Sequence, residues 1–455
     1  MYYQRNIDSY LLEWSRRDTR KPLLLRGARQ VGKSTAVRHL GEQFETYIDI
    51  NFERNPEYKI LFDSDLDTKR ICSQMSAMYG KAIVPGKTLL FLDEIQECQN
   101  AIMALRFFKE DLPELHVIAA GSLLEFALDE LPTFGVGRIH SLYMYPMTFD
   151  EFLKAYGQQL LLDARNQASA LSPLPEPLYN KVVELFRTYM IVGGMPEAVA
   201  AWVENQDFIR CQEIQDDILT GYEDDFPKYR KRVNTDLLRA TLRSVASQIG
   251  KKFVYAEVGN GYKASDIKKA LELLYMAGLI IPVTYTNANG LPLGGEADKC
   301  FRKMLFIDSG LLLRMLNMTL GNITQITTQI LTASVTDLVN KGSMAEMMAG
   351  LEIIHNQTPN LKYELYYWTR LQRGAQAEID YVVAKESKVV PIEVKANQQG
   401  GMKSLWNFMR DKCLSEAVRS SLENFGQFDY IDKEADNAVR HVTICPLYAM
   451  SQLFS

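Results

Sequence analysis

The stretch Gly27-Ala28-Arg29-Gln30-Val31-Gly32-Lys33-Ser34 constrains this chain more than any other, because it follows the apolar run Leu23-Leu24-Leu25 and opens into a helical pattern. A buried strand that turns into a helix through two glycines belongs to a parallel α/β sheet, with the loop at the strand's carboxyl end. The glycines let main-chain N–H groups curl around an anion, and the helix start adds its positive end. The spacing G-x-x-x-x-G-K-[ST] predicts that Lys33 reaches the β- and γ-phosphates of a nucleoside triphosphate and that Ser34 gives its hydroxyl to Mg²⁺. Gly27 through Ser34, with Thr35 behind them, are therefore the expected nucleotide-binding residues.

Such a site needs a second strand ending in acid, and Thr88-Leu89-Leu90-Phe91-Leu92-Asp93-Glu94 supplies it. Four consecutive apolar residues fit a central strand covered on both faces. Asp93 is expected to hold the metal and Glu94 to polarise the attacking water. His116-Val117-Ile118-Ala119-Ala120-Gly121-Ser122 is another short apolar strand. Ser122 admits two readings, a sensor of the γ-phosphate or the N-cap of a following helix.

Strand–loop–helix, Asp-Glu strand and Gly-Ser strand, in that order, resemble the AAA-type ATPases. Gly137-Arg138, Tyr145-Pro146-Met147-Thr148-Phe149-Asp150-Glu151-Phe152 and Gly193-Gly194-Met195-Pro196-Glu197-Ala198 narrow the resemblance to bacterial and archaeal ATPases with a C-terminal DUF4143 domain. It extends over essentially the whole chain and implies ATP, with Mg²⁺, as the ligand. In related signal-transducing ATPases a Gly-x-Pro turn packs near the adenine, which implies that role for Pro196. Arg138 is either a reader of the γ-phosphate, or of an acid across a domain contact, or half of a surface ion pair.

A chain of 455 residues is too long for one core. The expected division is a P-loop ATPase core over 1–160, a linker and helical lid over 161–233, a winged-helix domain over 234–320 and a nuclease-like α/β domain over 321–455. Residues 160–177 read as a linker or loop because of Ser172-Pro173-Leu174-Pro175-Glu176-Pro177. In the third, Ser265 is the expected N-cap of a helix stopped by Gly278 and followed by a strand and a Gly-rich hairpin, which resembles a winged helix. Its Lys263, Lys268 and Lys269 suit phosphate contact, yet the same unit also serves such ATPases as a rigid lever.

In the last stretch Glu378-Ile379-Asp380-Tyr381-Val382-Val383 and Val389-Val390-Pro391-Ile392-Glu393-Val394-Lys395 read as a hairpin turning at Lys385-Glu386-Ser387-Lys388. Alternation puts Glu393 and Lys395 on one face, with Asp380 brought alongside by the turn. The pattern is similar to the PD-(D/E)xK nuclease core, with Glu346 as the upstream helical acid and Ile379 standing where that signature has Pro. The resemblance implies that Asp380 and Glu393 bind a divalent cation and that Lys395 positions water. A structural Glu–Lys pair on a solvated face is the other reading of the same residues.

Six dispersed cysteines with no CxxC pair suggest neither disulfides nor a thiolate zinc site, and a reducing cytoplasm suits them. The start of the chain lacks an apolar signal segment, and no apolar run approaches membrane-spanning length. A net charge of −5 argues against a uniformly basic nucleic-acid binder but leaves a local basic groove open. The expectation is an ATPase whose nucleotide state moves the lid and winged helix against a nuclease-like domain, acting on or with DNA. Its alternative is a slow switch whose winged helix and C-terminal domain bind a protein partner or DNA without cleavage. Oligomeric state stays open, since a trans-acting arginine would need a homo-oligomer.

Overall fold

The computed structural model describes residues 2–122, 124–130, 137–229, 232–316, 341–370, 377–395 and 401–454. They form two compact units. The first holds residues up to Pro146 together with two short returning segments, Met276–Gly278 and Thr358–Lys362.

Its centre is a five-stranded, all-parallel sheet of β1 (Leu23–Arg26), β2 (Thr46–Asn51), β3 (Thr88–Asp93), β4 (His116–Ala120) and β5 (His140–Tyr143), in the order β2-β3-β4-β1-β5. Every residue of β3 and β4 is buried, as expected of strands covered on both faces. Helix α1 (Ile7–Arg16) precedes the sheet; α2 (Lys33–Gly41), α3 (Thr68–Tyr79) and α4 (Gln99–Asp111) join its strands, and α5 (Leu124–Glu130) follows β4. Strand β1 lies between β4 and β5 with Leu23 opposite both Ile118 and His140, so the loop leaving β1 emerges from an interior strand of the sheet, beside the end of β4.

The second unit opens with helices α6 (Phe149–Ala155), α7 (Gln159–Gln167), α8 (Glu176–Val192), α9 (Pro196–Asn205) and α10 (Phe208–Asp225). The linker expected over 160–177 is half helix: α7 buries Leu161, Leu162 and Arg165, and the irregular connection is confined to 168–175. The reason is tertiary, because the fully buried guanidinium of Arg165 finds Asp150 and the Ser451 hydroxyl. In the basic run Lys228-Tyr229-Arg230-Lys231-Arg232, residues 230 and 231 lie outside the described residues.

Helices α11 (Thr235–Ser247) and α12 (Ala264–Met276) lead to the hairpin β6 (Ile280–Thr286) and β7 (Ala297–Phe306). Ser265 lies inside α12, not at its cap, because the first turn closes one step earlier on the Lys263 carbonyl, which accepts from Asp266 and Ile267. Helices α13 (Ser309–Met315) and α14 (Lys341–His355) follow, then β8 (Leu365–Thr369), β9 (Glu378–Lys385), β10 (Lys388–Val394), α15 (Lys403–Asp411), β11 (Glu416–Ser420), β12 (Gly426–Asp432) and β13 (Ala438–Ile444). One mixed sheet takes all eight strands in the order β12-β13-β11-β10-β9-β8-β6-β7. The hairpin expected as a wing is built into it, with β6 pairing in parallel with β8, so a single sheet spans stretches expected as separate domains.

Candidate functional site

The loop after β1 has the backbone its glycines forecast. Gly27 sits at φ +144° and Gly32 at φ +98°, and a Cβ on Gly27 would come within 2.1 Å of the Met144 carbonyl oxygen. The Lys33 ammonium is buried and turned onto its own loop, donating to the carbonyls of Gly27 (2.9 Å) and Ala28 (2.7 Å). Burial pushes Lys33 down to about 8, against the pull of Glu94 and Asp93. This cation lacks a full counter-charge, and an anion in the loop would provide it. Ala28 and Val31 are buried, Arg29 partly so, and Gln30 and Thr35 are exposed.

Ser34 and Asp93 meet as the sequence predicts: Ser34 Oγ donates to Asp93 Oδ2 at 2.9 Å. Asn51 donates to the same oxygen at 3.3 Å, and burial raises the Asp93 carboxyl above its ordinary range. Oxygen donors of this kind, held together and partly desolvated, fit a hard divalent cation. Glu94 follows in the left-handed region at φ +48°, an uncommon conformation for a residue with a side chain. Its Oε2 accepts from Gln96 Nε2 at 2.6 Å and from the Ser122 hydroxyl at 3.3 Å. Lys33, Ser34, Asp93, Glu94 and Ser122 thus gather beyond the carboxyl ends of β1, β3 and β4.

Of the other two expected residues, one is on the surface and one belongs to the second unit. Arg138 is exposed and paired with Glu110 at 2.5 Å, as in the surface reading. Pro196 begins α9 in the second unit, outside the unit that carries the phosphate loop. The turn before it is tightly held: Gly194 N–H donates to Asp308 Oδ2 at 2.6 Å, and Met147 N–H donates to the Gly194 carbonyl at 2.7 Å. Sequence reasoning missed Asp308, Asn51, Gln96 and Arg5, whose buried guanidinium donates to the carbonyls of Val31 (2.9 Å) and Tyr145 (2.7 Å). Only Gln96, two places after Glu94, carried a local signal.

In the second unit the β9–β10 hairpin turns through Glu386 and Ser387, both at positive φ, the backbone of a type I′ turn. The register pairs Ile392 with Tyr381, which sets Glu393 beside Asp380. Asp380 Oδ2 accepts from the Val394 N–H at 2.8 Å, and Lys395 Nζ lies 2.5 Å from Glu393 Oε1. Glu346 on α14 joins them through a residue that sequence reasoning missed, Lys303 on β7. Its buried ammonium donates to Glu346 Oε1 at 2.8 Å and pairs with Glu378 Oε1 at 2.5 Å. Burial raises Glu346, Glu393 and Asp380 above the usual carboxylate range, against the pull of Lys303 on Glu346 and Asp380 and of Lys395 on Glu393 and Asp380. For Lys303 burial opposes the charge, but Glu346, Glu378 and Asp380 outweigh it and the net shift is upward. Among the described residues no group of three or more His, Cys, Asp or Glu side chains is arranged to hold a metal ion.

Residues 19–153 match the model of the AAA domain, and residues 341–444 match a domain of unknown function, DUF4143. Residues 183–321 match another domain of unknown function, DUF8612. The first region is an AAA-type nucleotide-binding ATPase domain and the last a DUF4143 domain, joined in one α/β chain. No curated protein matches the chain. Among solved structures, the Walker-type ATPase PABY2304 of Pyrococcus abyssi is 16% identical with a TM-score of 0.43, over 69% of this chain and 96% of that one. A structure of Drosophila ORC bound to DNA is 14% identical with a TM-score of 0.26, over 69% and 85% of the two chains.

Proposed function

We propose that this protein binds and hydrolyses ATP with Mg²⁺, and that the nucleotide state is coupled to the C-terminal domain. The observation that carries the reading is the hydrogen-bonded line Ser34–Asp93–Glu94–Ser122 beside a buried ammonium short of counter-charge. Gly27 through Gly32 offer main-chain N–H groups to the phosphates, and Lys33 exchanges its loop carbonyls for phosphate oxygens. Ser34 and Asp93 would hold Mg²⁺, which when bound neutralises charge on the β- and γ-phosphates. Glu94 orients water for attack, and Ser122 and Gln96 fix its carboxylate. Pro196 is assigned to the adenine by family likeness, and Arg138 becomes a γ-phosphate reader only if it leaves Glu110.

Action on or with DNA is supported by the exposed Lys263, Lys268 and Lys269 around the start of α12. No described helix is long and apolar enough to cross a membrane, and we place the protein in the cytoplasm. For the centre at Glu346, Asp380, Glu393 and Lys395 there are two readings, a nuclease and a binding module that does not cleave. The second is favoured by one observation, the Lys303 ammonium already seated between Glu346 and Glu378. The test is an ATPase assay with and without single- and double-stranded DNA. Lys33→Ala should lose ATP binding, and Glu94→Gln should bind ATP while losing turnover. Equal hydrolysis by wild type and Glu94→Gln would remove the assigned role.

A further inference from the structure

The acidic centre of the C-terminal domain does not fit the divalent cation that its nuclease-like pattern implies. A hard cation needs several oxygen ligands converging at roughly 2.0–2.6 Å. Here the converging atom is a side-chain nitrogen. Lys303 is 1% exposed, and its ammonium lies 2.8 Å from Glu346 Oε1 and 2.5 Å from Glu378 Oε1, hydrogen-bond distances for N⁺–H···O⁻. The Tyr367 ring lies on the same ammonium, its centroid 5.2 Å from Nζ, within cation–π range. Two carboxylates and a ring face thus meet three donors. On the hairpin side Lys395 covers Glu393 Oε1, and the Val394 N–H covers Asp380 Oδ2. Glu393 Oε2 is buried and accepts no hydrogen bond among the described residues.

We infer that Lys303 is a built-in counter-ion occupying the place of a divalent cation, so that this centre is closed to metal and holds its carboxylates together without one. The placement depends on sheet topology: β7 is the edge next to β6, and β6 pairs with β8, which pairs with β9 carrying Glu378 and Asp380. α14 brings Glu346 to the same point, its main-chain carbonyl accepting from the Tyr381 hydroxyl at 2.7 Å. A buried ammonium so paired stabilises the cluster only while its partners stay, because removing one side leaves an uncompensated charge. Lys303 is therefore a positioning residue for Glu346 and Glu378. The inference rests on the non-cleaving reading of this centre and is independent of the nucleotide site.

The experiment is a Mn²⁺ titration of the full-length, nucleotide-free chain, read by electron paramagnetic resonance of free Mn²⁺. Wild type and Lys303→Arg should show no site that Glu346→Gln or Asp380→Asn removes. Lys303→Met should gain one, at least tenfold tighter than anything in wild type at this centre, and Lys303→Met/Glu346→Gln should lose it again. Wild-type binding abolished by Glu346→Gln overturns the inference, and so does a folded Lys303→Met that binds no tighter. If circular dichroism shows Lys303→Met unfolded, the comparison of wild type with Glu346→Gln decides alone. A plasmid-nicking assay in Mg²⁺ separates the two claims. Cleavage lost in Asp380→Asn refutes the non-cleaving reading, whereas Mn²⁺ bound at the centre without cleavage refutes only the role of Lys303.

Discussion

If Lys33 holds the phosphates as proposed, ATP affinity should depend on pH in a range where few side chains titrate. Its value of about 8 in the free protein, against 10.5 for an ordinary lysine, corresponds to about 3 kcal/mol working against the buried ammonium. Phosphate oxygens would restore the charge, so binding draws in the missing proton. The sign follows: affinity is full well below pH 8, where Lys33 is already charged, and falls as pH rises through that value. At pH 9 roughly one tenth of the free protein carries the ammonium, so affinity for Mg·ATP should drop about tenfold from pH 7 to pH 9. The terminal phosphate, titrating near 6, adds little over that range. Calorimetry in two buffers of different ionisation enthalpy should show proton uptake rising from about 0.1 to about 0.9 per site. Lys33→Ala, if any binding survives, should be flat. An affinity unchanged between pH 7 and pH 9 without proton uptake would refute the claim that an under-compensated ammonium waits in the loop.

Two further outcomes concern the second unit. Gly194→Ala should destabilise it by roughly 3 kcal/mol in denaturant unfolding, because the new Cβ would stand 2.1 Å from the Met147 carbonyl, which is backbone and cannot swing away. A cost under about 0.5 kcal/mol would mean the turn relaxes freely. Asp308 is pushed by burial up to about 6, above its unfolded value of 3.8. Its stabilising contribution is therefore full below about pH 4 and lost as pH rises through 6. Asp308→Asn should reduce the fall in unfolding free energy between pH 5 and pH 7; an identical slope in the variant would place the proton elsewhere.

The first unit was legible because its determinants are contiguous. Gly27, Gly32, Lys33 and Ser34 lie within one loop whose backbone demands can be read residue by residue. Strands β3 and β4, buried on both faces, appear in the sequence as unbroken apolar runs ending at Asp93 and Ser122. The β9–β10 hairpin was legible for the same local reason, through alternation and the polar stretch Lys385-Glu386-Ser387-Lys388. Arg5 was not, since it reaches Val31 from 26 residues away and nothing near it hints at the meeting. Nor was the helix over Gln159–Gln167, where a buried partner for Arg165 overrides a proline-rich neighbourhood.

What the chain's order of residues determined by itself, then, was every feature whose physics is satisfied within a few positions: loop dihedrals, strand burial, the place of a turn, and an acidic strand end at Asp93 and Glu94. What only the tertiary structure decided was charge compensation. Lys303 stands 43 residues from Glu346, on a strand that sequence alone places in a separate hairpin. It becomes the counter-ion of the acidic centre only when β7, β8, β9 and α14 close on one another. Burial turns that arrangement from an incidental surface pairing into a requirement, because a charge removed from water must find its partner wherever the fold puts it.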